Sequence, residues 1–120
     1  MKKILITGAS GFIGSFIVEE ALRRGLETWA AVRPTSSLRY LQDARVHLLT
    51  LDLQDPARLM DQLRPHRFDY IVHAAGATKC QDPADFFRVN RDGTRHLFQA
   101  VRALAMPVER IVFLSSLSVF

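Results

Sequence analysis

The stretch ITGASGFIGSFIVEEALRRG, residues 6–25, decides the fold. It carries three glycines at a spacing of three, Gly8, Gly11 and Gly14, where an apolar run gives way to a helical pattern. Glycine inside a helix costs about 1 kcal/mol relative to alanine, so a glycine in the first helical turn must be serving another purpose. Gly8 allows a sharp turn after a strand. Gly11 lets backbone approach a ligand with no Cβ in the way, and Gly14 lets the helix lie close on a sheet. The start of such a helix offers free N–H groups and the positive end of its dipole, which suits a pyrophosphate. The pattern predicts a strand over 2–7, a phosphate-cradling loop, and a helix from about Gly11 to Arg24 ended by Gly25.

Working outward, strands and helices alternate. Apolar runs predict further strands over 27–33, 45–53, 68–75 and 110–116. Asp55-Pro56 reads as an N-cap with proline at the first helical position, opening a helix to about Leu63. Pro83 opens a long helix to about Leu104, and the segment PTSSLRYLQ after the second strand reads as a loop that admits a short helix. Strands separated by helices require a parallel sheet with right-handed crossovers. Such strands are apolar on both faces. The expected architecture is α/β: a doubly wound, Rossmann-like sheet of five strands in the order 3-2-1-4-5. Ligands then sit at the carboxyl ends of the strands, where the order reverses between the first and fourth.

Composition bounds the function. The 120 residues are 48% hydrophobic and 23% charged, ordinary values for one globular domain. The net charge of +4 comes from scattered basic residues, with no run longer than two. That pattern argues against nucleic-acid binding. No apolar stretch approaches the ~20 residues of a membrane span, and Ile4-Leu5-Ile6 is too short for a signal-peptide core. Cys80 is the single cysteine, which excludes an internal disulfide and fits the cytoplasm. The four histidines and Cys80 show no metal-ligand spacing. His73, at the end of a strand, reads as a satisfied core histidine.

Five motifs in order resemble the extended short-chain dehydrogenases/reductases, the NAD-dependent epimerase/dehydratase family. They are TGASGFIG (7–14), LDL (51–53), HAAG (73–76), NRDGT (90–94) and FLSSLSVF (113–120). The resemblance implies that Gly8, Ser10, Gly11, Phe12, Ile13 and Gly14 receive the dinucleotide. It implies that Asp52 and Leu53 border adenine and that Ala74, Ala75 and Gly76 lie along the cofactor. Ser116 takes the place of the catalytic Ser/Thr, with Phe120 where tyrosine is usual. Asp52 has a second reading, as the cap of a turn after the third strand. Asn90 shares a helix face with Phe86, Gly93, Leu97, Val101 and Leu104. A buried amide needs partners, so Asn90 reads as a brace for the loop after the fourth strand, and Gly93 as permission for close packing.

The residue ending the second strand faces the adenosine ribose in this fold, where an acid favours NAD and an arginine accommodates the 2′-phosphate of NADP. Here it is Arg33, 19 positions after Gly14, with Ser36 and Ser37 nearby. AVRPTSS (31–37) also resembles the strand-2 end of NADP-using reductases. NADP is therefore the expected cofactor, with NAD second.

The family's general acid/base is a tyrosine in Tyr-x-x-x-Lys. Tyr40 has Ala44 four residues on and Tyr70 has Ala74, so neither qualifies. The expectation is the NAD(P)-binding N-terminal part of a longer oxidoreductase or epimerase/dehydratase, inactive by itself. Its substrate would be a small molecule, a sugar nucleotide or a ketone/alcohol, and the resemblance admits a homodimer. The alternative is a non-catalytic NAD(P)-binding module. Reading the gene past codon 120 separates the two.

Overall fold

The computed structural model describes residues 1–8, 12–32, 43–74 and 83–113, the side chains of 12, 13 and 83–90 excepted. Strands β1 (Lys3–Thr7), β2 (Glu27–Val32), β3 (His47–Thr50), β4 (Tyr70–His73) and β5 (Arg110–Phe113) form one sheet. Their order is β3-β2-β1-β4-β5, as the alternation of strands and helices predicts, and every neighbouring pair is parallel. Helices α1 (Phe12–Arg23), α2 (Pro56–Leu63) and α3 (Pro83–Ala103) cover the sheet.

The period of two along each strand sorts the core into two layers. Ile4, Ile6 and Ala30 pack with Val18 and Ala21 of α1 on one face. Leu5, Ala31 and Ile71 point the other way and join Leu59 and Leu63 of α2 with Leu97, Ala100 and Val101 of α3. Helices on both faces make the sheet doubly wound.

Two strands are shorter than their apolar runs. The run 45–53 is a ladder only over His47–Thr50. Before it, Val46 N–H bonds Asp43 O at 3.1 Å in a turn; after it, Leu51 N–H still bonds Val32 O at 3.1 Å, and Asp52 N–H, on the other side of the chain, bonds Gln62 Oε1 of α2 at 2.8 Å. The run 68–75 shortens to Tyr70–His73, with Phe68 already buried ahead of it. Burial on both faces holds for the middle strand β1 but not at the edges. Leu48 of β3 is 45% exposed, and Val112 and Phe113 of β5 are 46% and 40% exposed. An edge strand has a neighbour on one flank only, and α1 packs on β1 and β2 rather than over β5.

Helix ends follow their cap residues. Asp55 caps α2 by accepting from Arg58 N–H at 3.2 Å, with Pro56 at the first position. Gly25 ends α1 at φ 76°, with Leu26 N–H on Ala21 O and Gly25 N–H on Leu22 O, each 3.1 Å. That pairing is a Schellman motif. The end of α3 repeats it with alanine: Ala105 has φ 50°, Met106 N–H bonds Val101 O and Ala105 N–H bonds Arg102 O, each 3.1 Å. A left-handed alanine is strained by about 1–2 kcal/mol, which glycine relieves at some cost in unfolded-state entropy. Ala105→Gly should therefore raise stability by about 0.5–1 kcal/mol, read as a rise of roughly 2–5 °C in Tm. A lowered Tm would refute the strain.

Candidate functional site

The chain leaves β1 toward β2 on one side and β4 toward β5 on the other, so the strand order reverses at the carboxyl ends of β1 and β4, the place where sheets of this kind bind ligands. Gly8 follows the last residue of β1 with φ 67°, a conformation that a side chain resists. It turns the chain toward α1, which begins at Phe12. Gly14, in the first turn of α1, is buried, as close packing of the helix on the sheet requires. The first turn of α1 contains no acidic residue, so its free N–H groups face no competing carboxylate of their own helix. A pyrophosphate fits a helix start of this kind. At this switch point Ala74 N–H bonds Thr7 O at 3.2 Å, extending the β1–β4 pairing by one residue.

Beyond β3 the segment Asp52–Gln54 is held from two helices. Asp52 Oδ1 accepts from Gln54 N–H at 3.0 Å, so the turn-capping reading of Asp52 is realised. Its Oδ2 accepts no hydrogen bond among the described residues. His96 Nδ1 lies 2.5 Å from Leu53 O. A carbonyl only accepts, so His96 carries its proton on Nδ1. A Cβ at Gly93 would come within 3.4 Å of both Leu53 Cβ and Gln54 Nε2. Gly93 thus lets α3 approach the segment after β3, the close packing that its place on the helix face predicts.

Thr7, His73 and Thr94, one from each of the motifs TGASGFIG, HAAG and NRDGT, form a constellation to which the motifs assigned no binding role. His73 Nδ1 is 2.7 Å from Thr7 Oγ1, and its Nε2 is 3.0 Å from Thr94 Oγ1. His73 is 4% exposed and Thr7 fully buried. Burial holds the imidazole below its ordinary range, so the ring is neutral near pH 7. The reading of His73 as a satisfied core histidine holds, and both of its nitrogens are engaged. The available signal was positional. Thr7 and His73 are polar residues ending two apolar runs, and they prove to be partners in the β1–β4 register.

The remaining assigned residues are partly or wholly beyond description. Ser10, Gly11, Arg33, Ala75, Gly76 and Ser116 lie outside the described residues. Phe12, Ile13 and Asn90 are placed by backbone alone, Asn90 one turn before Thr94 on α3. Among the described residues no three His, Cys, Asp or Glu side chains gather as metal ligands, and no helix is long and apolar enough to cross a membrane.

Comparison with known proteins adds to this geometry. The model of the NAD dependent epimerase/dehydratase family matches residues 4–120. The chain is 34% identical to a UDP-glucose 4-epimerase of Mus musculus, over 100% of its own length and 39% of that protein's. It is 33% identical to a ceramide reductase of Caulobacter vibrioides, over 96% of its length and 35% of that protein's. The UDP-glucose 4-epimerase of Thermus thermophilus, solved in complex with NAD, superposes with a TM-score of 0.72 at 32% identity, over 87% of this chain and 35% of that one. The chain thus spans well under half the length of these relatives.

Proposed function

Because the chain belongs to the NAD dependent epimerase/dehydratase family, we propose that residues 1–120 are the dinucleotide-binding part of an enzyme. That enzyme moves hydride between nicotinamide and a small-molecule substrate, a sugar nucleotide or a ketone/alcohol. The observation that carries this reading is the left-handed Gly8 turn, which delivers the start of α1, free of acidic residues, to the point where the strand order reverses. A bound nicotinamide supplies the hydride chemistry. The chain's own residues bind and orient. Gly8, Ser10, Gly11, Phe12, Ile13 and Gly14 cradle the pyrophosphate. Asp52 accepts from the adenine amine through its carboxylate oxygen, beside Leu53. Ala74, Ala75 and Gly76 run along the cofactor, and Asn90 braces them. Ser116 is the hydroxyl assigned to the reacting atoms. No tyrosine with lysine four residues on stands among residues 1–120, so these residues alone are expected to bind without turnover.

Arg33 carries the cofactor preference. A guanidinium grips phosphate oxygens in bidentate fashion, and a charge-assisted hydrogen bond contributes about 1.5–3 kcal/mol. NADP should therefore bind roughly 10- to 150-fold tighter than NAD. Calorimetric titration of both cofactors is the test. Arg33→Ala should erase the preference and leave NAD affinity within about 3-fold, a change under 1 kcal/mol. A wild-type preference for NAD, or a preference that survives in Arg33→Ala, sinks the assignment. Failure of the wild type to bind either dinucleotide sinks the whole reading.

A further inference from the structure

We propose that His73 is a positioning residue for the dinucleotide: its ring spaces the β1 turn, the β4 end and α3 around the switch point. The proposal rests on the dinucleotide reading above and goes beyond it, because His73 and Thr94 carry no binding role there.

Four elements converge on this ring. Thr7, bonded to Nδ1 at 2.7 Å, is the residue before the left-handed Gly8. His73 itself is the residue before Ala74. Thr94, bonded to Nε2 at 3.0 Å, stands on α3 one turn after Asn90. Phe113, the last residue of β5, meets the ring edge-on with centroids 5.6 Å apart and planes at 78°. The pairs span 66 and 21 positions of sequence, so no local backbone preference holds them. An imidazole is a rigid plate. With its two nitrogens fixed to hydroxyls on separate elements, it can neither flip nor tilt without losing a bond. A neutral ring donates through one nitrogen and accepts through the other, and a threonine hydroxyl meets either requirement. Burying polar groups here gains little net stability over apolar ones. What the hydrogen bonds add is direction, holding three backbone segments that border the switch point in one arrangement.

The test uses the protein at the length its gene encodes and whichever of NADP or NAD the wild type binds tighter. Thr94→Val removes the hydroxyl at nearly constant volume and keeps the β-branch. Its Kd should rise about 5- to 20-fold, as expected when a buried ring nitrogen loses its partner, with an unchanged circular dichroism spectrum. Thr94→Ser restores the hydroxyl and should return Kd to within about 2-fold of wild type, below 0.5 kcal/mol. A folded Thr94→Val with wild-type Kd, or a Thr94→Ser as weak as the valine variant, overturns the proposal. Should the valine variant not fold, the wild-type ring decides. Saturation with the dinucleotide should shift the His73 ring nitrogens in long-range proton–nitrogen spectra, and unmoved resonances with cofactor bound overturn the proposal. A wild type that binds neither dinucleotide fails the underlying reading instead, before any variant is compared.

Discussion

Gly8→Val should lower dinucleotide affinity at least about 100-fold, a loss of some 2.7 kcal/mol, in a protein that still folds. Gly8 has φ 67°, where a β-branched side chain is a genuine outlier. An ordinary L-residue in that region costs about 1–2 kcal/mol, and valine exceeds this because its branch crowds the backbone. The chain escapes the strain by rotating the turn. That rotation redirects the segment between Thr7 and the start of α1, which is where phosphate-binding amides must converge. The core layers are untouched, because Ile4, Ile6 and Leu5 sit earlier in β1. Gly8→Asn separates strain from the mere presence of a side chain, since asparagine tolerates the left-handed region. It should keep affinity within about 5-fold, roughly 1 kcal/mol. Calorimetry on variants with native circular dichroism reads both. Wild-type affinity in Gly8→Val would mean that the loop is only a turn.

Phe68→Ala should cost about 3–5 kcal/mol of folding stability, seen as a fall of roughly 10–20 °C in Tm. Phe68 is 1% exposed and belongs to the larger core layer, with Leu59 and Leu63 of α2 and Leu97 of α3. Its ring lies edge-on to Trp29 with centroids 6.0 Å apart and stacks on His66 at 5.6 Å. Truncation removes the transfer energy of the ring and opens a cavity beneath β2 and α2 at once. Phe68→Leu keeps most of the volume and should lose no more than about 1.5 kcal/mol. Trp29, the only tryptophan, gives the readout, because its fluorescence reports the surroundings Phe68 builds. A loss below about 1 kcal/mol in Phe68→Ala would show that the surrounding layer collapses into the space.

Much of this fold is written in short-range pattern. Asp55-Pro56 marks the start of α2, and Gly25 marks the end of α1, because a cap is a matter of a few neighbouring residues. The glycine spacing after an apolar run places Gly8 at a turn and Gly14 against the sheet, both of which the structure contains. The helix stripe through Gly93, Leu97 and Val101 marks the buried side of α3, since a period of 3.6 records which side of a helix faces inward. The end of α3, read at about Leu104 and found at Ala103, was legible in place but not in the way it closes. Its left-handed residue is Ala105, whose composition carries no stop signal, and the closing hydrogen bonds from Ala105 and Met106 hold it there.

By itself, then, the sequence determined the alternation of strands and helices, the strand order, the helix caps and the family. Each depends on local periodicity, on backbone preference or on motifs of adjacent residues. Only the tertiary structure decided where β3 ends, because the segment after Leu51, whose N–H still bonds Val32 O, is anchored by Asp52 N–H to a glutamine on α2. And it alone brought Thr7, His73 and Thr94 together. An apolar period tells which face a residue takes, whereas the identity of the residue opposite is set by the register between strands and the seating of a helix. Those contacts span 66 and 21 positions of chain and exist only once the sheet has closed.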